Sequence, residues 1–523
     1  MEVELKLQVD AQYSDAILAH PLLSSPNAAA PREQKQVDIY YDTPERRLQR
    51  KHIGLRVRRI KNRWVQNIKG MDANGGNGGG GQGSNGAGLL SRGEWEWPVT
   101  GPAPELAHVR DLVDDKQVRR SLSAAGSLQK RLVAVFETRV KRTVWDLRLP
   151  EGVHIECALD RGTLECGEKE VAISELELEL KAGDARQLFD LALGLQEDIP
   201  LQLGTRSKAE RGYALLGAAD AQAVKAAPVT LTRQMTVEQA FVVIAANCLA
   251  HMQGNDQRVA RELDVESLHQ MRVGMRRLRS ALSMFKELLH LPQDMQTELD
   301  WLAGELGDAR DWDVLSGSTL PAVAKKSLDG SDIAGVQHAA SEQAHAHHLR
   351  TAQAVASPRY ARLMLRLARW VTTMGWREDK VAMAAHGASL QQAVGKFARQ
   401  VVKRDQRRLQ RRAAKLAGAT AEARHRLRIA AKKTRYAAEF FASLFAAKTV
   451  RPYVKGLSSL QDELGLMNDF AVAERLLSGL TSTYPDIEEG VGFVRGVLAA
   501  DSHSDDKKIV RLWKNLAPLA VPS

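Results

Sequence analysis

The first 215 residues alternate in period two, and the residues from about 233 onward recur in steps of three and four. No single sheet or bundle accommodates both patterns, so the chain must fold as at least two domains of different class. MEVELKLQV opens the chain with alternating charged and apolar residues. HIGLRVRRI (52–60), RWVQNIKG (63–70), GEWEWPV (93–99), TRVKRTVWDLRL (138–149), GVHIECALD (152–160) and ISELELELK (173–181) continue it. Such alternation puts one set of side chains on each face of a sheet. Gly, Pro and Asp clusters between the runs predict antiparallel strands, and the lack of strand–helix alternation argues against a doubly wound parallel sheet. Nine glycines fall within the sixteen residues Ala73–Gly88, which reads as a flexible loop between two strands. It is no phosphate loop, because no GK[ST] follows it.

The alanine-rich residues 216–232, with Pro228, read as a linker. Beyond them Leu268, Met271, Met275, Leu278, Leu282 and Phe285 form one stripe of an amphipathic helix. This half also repeats: HQMRVGMRRLR (269–279) matches HRLRIAAKKTR (425–435), and LAGELGDARDW (302–312) matches LQDELGLMNDF (460–470). The two offsets, 156 and 158 residues, agree closely enough to predict two related helical units. The expected organisation is a strand-rich domain over 1–215, the linker, and a helical domain over 233–520 with repeats at about 233–390 and 391–520.

Composition narrows the class. With 523 residues, 44% apolar and 26% charged, the chain is a soluble globular protein. Its net charge of +11 favours anionic partners where the basic residues cluster. Cys157, Cys166 and Cys248 form no CxxC pair, which argues against a disulfide framework and a cysteine zinc site. There is no basic-then-apolar leader and no run of the roughly 18 apolar residues a spanning helix needs. A cytoplasmic location without membrane association is expected. Aromatics make up only 5%, which disfavours a stacking reader of single strands.

The alternating charges carry the chemistry. Glu2, Glu4 and Lys6 share one strand face, as do Glu175, Glu177, Glu179 and Lys181. Arg56 and Arg58 share another, and so do Arg92, Glu94 and Glu96. Two geometries cover the apolar faces: a sandwich with wet, charged outsides, or a barrel with a charged lumen and helices outside. Rows of like carboxylates repel and gain nothing on a wet surface. A divalent cation needs such clustered oxygens, and phosphate oxygens need the Arg and Lys donors. The lumen therefore suits a metal–polyphosphate complex.

At this point residues 1–215 resemble the CYTH domains, the triphosphate tunnel metalloenzymes. The resemblance rests on Glu2-x-Glu4-x-Lys6 at the N-terminus and on YYDT (40–43), LRVR (55–58), Lys69, RGEWE (92–96), FETRVKRTVW (136–145), LDRG (159–162), ELELELK (175–181) and SKAERGY (207–213), in order. It implies an eight-stranded antiparallel β-barrel forming a tunnel, within an α+β chain. It implies metal-side carboxylates at Glu2, Glu4, Glu175, Glu177 and Glu179, holding Mg²⁺ or Mn²⁺. Lys6, Arg56, Arg58, Lys69, Arg92, Arg142, Lys181 and Lys208 would face phosphate, with Glu94 and Asp160 completing the lining. Arg142 is preferred to Arg139 because it precedes the TVW step. The implied reaction is metal-assisted hydrolysis of inorganic triphosphate. Other substrates open to the family are thiamine triphosphate, nucleoside triphosphates (with adenylate cyclase chemistry) and RNA 5′-triphosphate ends.

In the helical half, His269, Arg272, Arg276 and Arg279 are spaced 3, 4, 3, and His425, Arg428, Lys432 and Arg435 repeat that spacing along one helical face. Between Lys403 and Arg435 there are 13 Lys and Arg against Asp405 and Glu422. A solubilising face would mix in Glu, so a polyanion groove is the better reading. The histidines fit either the groove or buried hydrogen bonding near a helix end. With ELGDARDWDV and ELGLMNDF, residues 233–515 resemble a CHAD domain. That resemblance implies an all-α domain of two repeated antiparallel helical bundles that binds inorganic polyphosphate, with Asp311, Asp313 and Asp469 orienting the basic residues. No recognition-helix or RNP-like motif points to sequence-specific nucleic-acid binding. The competing expectation is a non-catalytic polyphosphate scaffold.

Overall fold

The structure is a computed structural model that describes residues 3–24, 30–70, 89–90, 93–122, 125–204, 206–217, 222–326, 333–414, 416, 420–502 and 506–522. Glu2, Arg92 and the glycine-rich segment 73–88 lie outside the described residues. The chain forms two compact units, Met1–Gln222 with Pro358–Gly375, and Ala223–Ser357 with Trp376–Ser523. Among the described residues no helix is long and apolar enough to cross a membrane.

The first unit is an antiparallel sheet of ten strands: β1 Val3–Val9, β2 Arg32–Asp42, β3 Ile53–Ile60, β4 Arg63–Gly70, β5 Leu89–Leu90, β6 Glu94–Val99, β7 Val133–Arg148, β8 His154–Cys166, β9 Lys169–Ala182 and β10 Leu201–Leu203. Their order is β10-β1-β9-β8-β7-β2-β3-β4-β6, with β5 also pairing β1. Among the described residues each alternating run overlaps a strand. The longest strand without such a run, β2, opens on the polar REQKQ and alternates only toward its end.

The expected closed barrel of eight strands is corrected here. The ladder has ten strands and is not closed among the described residues. The sheet nevertheless curls, because residues of β1, β2, β3, β4, β6, β7, β8 and β9 line one cavity of about 370 Å³. Eight strands spaced at about 4.8 Å would hold the outermost pair over 30 Å apart if flat. The charged face therefore turns inward, and the sandwich geometry is excluded. The opposite face carries fully buried Leu5, Leu7, Leu55, Val57, Leu176 and Leu178. Helix Ala185–Asp198 buries Leu188, Phe189, Ala192 and Leu195, and it starts on a capping box between Asp184 and Gln187. Helix Pro358–Thr372, drawn from the far part of the chain, belongs to this unit and pairs Arg369 Nε with Asp190 Oδ1 at 2.7 Å.

The second unit is helical. Helices Val237–Glu262, Val265–Phe285 and Gln293–Val314 correspond in order to Val394–Ala413, Ala421–Phe440 and Ala447–Thr483. The first of these pairs starts at matching points: Thr236 bridges Ala393, Val237 N donates to Gln392 O at 2.9 Å, and Val394 N donates to Met235 O at 3.0 Å. Equivalent residues thus bond each other reciprocally, as a local two-fold requires. The two repeats, expected as antiparallel bundles, meet across shared apolar side chains. One apolar cluster contains Trp312, Leu320 and Ala340 from the first copy and Ala473, Leu477 and Val494 from the second. The copies bury apolar surface against each other there, while Leu409, Leu427, Tyr453, Leu457 and Ile509 belong to a further cluster within the second copy.

Candidate active site

Cross-strand register assembles the site in rows. Gln8, Glu175, Asp160 and Arg142 lie opposite one another across β1, β9, β8 and β7. The next row is Lys6, Glu177 and Ala158, and the next Glu4, Glu179, Glu156 and Asp146. Directly opposed residues point to the same face, so three rows of charge are stacked along the cavity wall. On the other wall, Asp38 on β2 opposes Arg58 on β3, and Arg56 opposes Asn67 on β4. Lys69 opposes Glu94 on β6.

The deepest row is a dense ion network. Lys208 Nζ lies 2.7 Å from Asp160 Oδ2 and 3.0 Å from Glu177 Oε1, and it also bonds Glu175. Arg142 clamps Asp160 with Nε and Nη2, each at 2.6 Å, and reaches Glu177. Lys6 Nζ lies 2.6 Å from Glu177 Oε1 and 3.2 Å from Glu4 Oε1. Arg211 Nη1 adds a contact to Glu175 Oε2 at 3.2 Å. Burial alone would push the Glu177 carboxyl up, but Lys208, Lys6 and Arg142 hold it well below the usual range. Asp160 is lowered as well, since Lys208 and Arg142 outweigh its burial. Burial likewise opposes the charged forms of Lys208 and Lys6, yet the surrounding carboxylates keep both ammonium groups above their ordinary values.

The facing wall is built on Asp38, 3% exposed. It accepts from Arg58 Nε at 2.7 Å, Arg58 Nη2 at 2.9 Å and Arg56 Nη1 at 3.1 Å. Burial would raise the Asp38 carboxyl, but Arg58 and Arg56 drive it below the carboxylate range. Lys69 Nζ pairs with Glu94 Oε2 at 2.5 Å, and Lys181 Nζ with Glu179 Oε1 at 2.6 Å.

Glu4, Lys6, Arg56, Arg58, Lys69, Glu94, Arg142, Glu177, Glu179, Lys181 and Lys208 all line the cavity. Asp160 and Glu175 sit in the wall beneath it, 1% and 2% exposed. Glu2 and Arg92 lie outside the described residues. Arg142 faces the cavity, whereas Arg139 is largely exposed and pairs with Glu137 and Glu165. Asp38, Tyr40, Asn67, Glu156 and Arg211 were not anticipated. Strand parity would have found Glu156, two residues before Ala158 and four before Asp160. It would equally have found Asp38, two residues before Tyr40.

Among the described residues one carboxylate cluster is tight enough to hold a hard divalent cation. Oxygens of Asp160, Glu175 and Glu177 lie within 4.8 Å of one another, but the Lys208 ammonium is already bonded to all three. Glu4, Glu156 and Glu179 form a register row open to the cavity, and Glu156 makes no ion pair with a described residue. Oxygen-only donors of this kind suit Mg²⁺ or Mn²⁺ over softer ions.

In the helical unit Arg272, Arg276, Arg428 and Lys432 come together from two helices. Burial first, then Arg428, Arg276 and Arg272, push the Lys432 ammonium down to about 7. The Nε atoms of Arg276, Arg428 and Arg435 and the His269 Nδ1 are buried without a partner. His269 is pushed down to about 4 by burial and by Arg310 and Arg276, so it is neutral at pH 7. Arg272 Nη1 bonds Asp311 Oδ1 at 3.1 Å, and Arg475 bonds the other oxygen at 3.3 Å. Arg279 instead pairs at the surface with Asp300, and Arg435 with Glu439. His425 lines a separate, largely apolar cavity with Leu464, Met467 and Phe470.

The CYTH domain model matches residues 1–213 and the CHAD domain model residues 243–478. An inorganic triphosphatase of Haemophilus influenzae is 30% identical over 224 residues, covering 41% of this chain and 54% of that protein. The chain thus spans about half the length of that curated relative. The crystal structure of the CHAD domain from the plant Ricinus communis is 38% identical, covers 58% of this chain and 99% of that one, and superposes with a TM-score of 0.52. An adenylyl cyclase candidate from Hippeastrum with a dominant triphosphatase activity is 20% identical over 42% of this chain and 98% of its own, with a TM-score of 0.30.

Proposed function

The chain belongs to the proteins that join a CYTH domain to a CHAD domain, and on that premise we propose that its cavity hydrolyses inorganic triphosphate with the help of Mg²⁺ or Mn²⁺. One observation carries the reading: a single cavity has Arg56, Arg58 and Lys69 on one wall and Glu4, Glu156 and Glu179 on the other. The arginines offer planar forks to phosphate oxygens, and Asp38 sets the forks before substrate arrives. Arg142, reaching from the deep network, adds positive charge where the chain of phosphates would lie. Glu4, Glu156 and Glu179 would hold the cation, with Glu177 and Glu175 behind them. When bound, the cation offsets charge on the bridging and leaving phosphate oxygens. Glu2 and Arg92 complete this assignment by motif.

No described aromatic platform or base-reading group lines the cavity other than Tyr40, so a bare triphosphate is favoured over a nucleotide or thiamine ester. The test is phosphate release from inorganic triphosphate, thiamine triphosphate and ATP with Mg²⁺ or Mn²⁺, scored also for cyclic nucleotide. Inorganic triphosphate should be the best substrate, and Glu4→Ala should lower the rate at least a hundredfold. A protein silent on every triphosphate would be a binding scaffold instead.

For the helical unit the reading is a polyphosphate cleft at Arg272, Arg276, Arg428 and Lys432. Its support is the gathering of four cations, two of which, Arg276 and Arg428, bury an Nε without a partner among the described residues. His269, Arg279, His425 and Arg435 are the outer members of that assignment. Polyphosphate affinity should fall steeply with salt, by analogy with DNA.

A further inference from the structure

The two copies of the helical repeat treat one equivalent face in opposite ways. The reciprocal bridge makes residues 157 apart equivalent in the first helices (393 − 236 = 157). The matched motifs make residues 156 apart equivalent in the second (425 − 269 = 156). In the first copy this face consists of Asn247, His251, Asn255 and Arg277, and a segment without helix or strand lies over it. Asn255 Nδ2 donates to Val224 O and its Oδ1 accepts from Val224 N, both at 2.9 Å. Asn247 Nδ2 donates to Ala227 O at 3.1 Å. Under that cover His251, Asn255 and Arg277 are 3%, 0% and 5% exposed.

In the second copy the equivalent positions are Arg404, Arg408, Arg412 and Lys433. Their neighbourhood repeats that of the first copy: Arg277 bonds Asn247, and Lys433 is electrostatically close to Arg404 and Arg408. Lys286 and Arg426 join the same face. Arg404 keeps 41% of its side chain exposed, and Arg408 makes no hydrogen bond or ion pair with any described residue. The carboxylates at hand are buried Asp405, 3.3 Å from Arg404 Nε, and Glu422, 3.0 Å from Arg426. Burial and neighbouring cations depress both Arg412 and Lys433, so folding gathers charge here against its own electrostatics.

The substituted residues identify the missing occupant. Asn offers a donor and an acceptor, which is what a peptide backbone requires and what Val224 receives. Arg and Lys only donate, so they suit a ligand made of acceptors. No aromatic side chain belongs to the set, which leaves nothing for nucleobases to stack on. We propose that this face of the second copy is a second polyanion groove, lying where the first copy holds its own covering segment, and that it binds a chain of inorganic polyphosphate. It is separate from the cleft: Lys432 belongs to the cleft cluster and Lys433 to this one, about 100° apart around the same helix. The two sites stand or fall independently.

The test titrates long-chain polyphosphate into the full-length protein and three variants: Arg272→Ala/Arg428→Ala, Arg404→Asn/Arg412→Asn, and the four changes combined. The Asn changes copy Asn247 and Asn255 of the first copy, so the helix should tolerate them. The cleft variant should retain salt-sensitive binding that weakens at least tenfold when the Asn pair is added. Equal affinity of the cleft variant and the fourfold variant would overturn the second groove. So would a poly-glutamate peptide or an oligothymidylate that binds the cleft variant as tightly as polyphosphate of equal charge. If the cleft variant binds like the wild type, the cleft reading fails while the groove remains testable in the Asn pair alone. Should the Asn pair not fold, Lys433→Gln in the cleft variant should give the same direction of loss, and unchanged binding there would equally overturn the proposal.

Discussion

Asp38 and Arg58 are register partners across β2 and β3 and bond through two parallel contacts, Nε to Oδ1 at 2.7 Å and Nη2 to Oδ2 at 2.9 Å. The same carboxylate holds Arg56, so one buried acid orients both guanidinium groups of the LRVR strand. Asp38→Asn removes the charge but keeps the volume. Its expected signature is a triphosphate KM raised about tenfold, or about 1.4 kcal/mol, with a smaller change in kcat. Initial rates across substrate concentration measure this split, and an unchanged KM would show that the arginines orient themselves.

Lys208 satisfies three buried carboxylates at once. Removing one partner of a buried ionic set leaves uncompensated charge and costs about 3–5 kcal/mol. Lys208→Met should therefore lower the melting temperature of the first unit sharply. A melt within a degree or two of the wild type would mean that the acids take up protons at no cost.

The same network sets an acid limit. Asp160 and Glu177 titrate lower in the folded chain than in the unfolded one. Their stabilisation is complete above the unfolded carboxylate range near pH 4 and drains away as pH falls below it. Lys208 and Lys6, shifted upward, contribute throughout that window. Thermal melts from pH 7 to 3 should fall steeply below about pH 4.5, and Lys208→Met should flatten the slope.

Lys432, depressed to about 7, is partly neutral at physiological pH. Its folded value lies below its unfolded one, so between pH 7 and 10 the unfolded chain holds more protons and stability rises with pH. A bound polyanion favours the charged amine and reverses the depression. Polyphosphate binding at pH 8 should take up close to one proton, and affinity should decline above pH 7. Calorimetry in two buffers of different ionisation enthalpy measures the uptake. Lys432→Gln should abolish it, and buffer-independent heats in the wild type would contradict the cleft reading.

Gly162 on β8 packs against the backbone of β7, and a Cβ there would lie 1.9 Å from the Arg139 carbonyl oxygen. Gly162→Ala should destabilise the first unit by about 3 kcal/mol, because backbone and not a mobile side chain must yield. Denaturant unfolding of the first unit checks this. A loss under about 1 kcal/mol would show that β7 shifts freely.

Period-two alternation by itself determined which residues are strands and which share a face, since parity is a local property of extended backbone. That is why Glu4 with Lys6, Arg56 with Arg58, and Glu177 with Glu179 could each be assigned to one strand face before any coordinates. Spacing by three and four and the 156–158-residue repeat determined the paired basic helices from the sequence pattern. Only the tertiary structure decided that the sheet curls, with a ladder that does not close among the described residues, that Asp38 pairs with both Arg56 and Arg58, and that the two helical copies share an apolar cluster. It alone showed a covered face in one copy and a basic one in the other. These features depend on register between strands and on which helix lies beside which. Such contacts join residues tens to hundreds of positions apart, and neither alternation nor helical period encodes them.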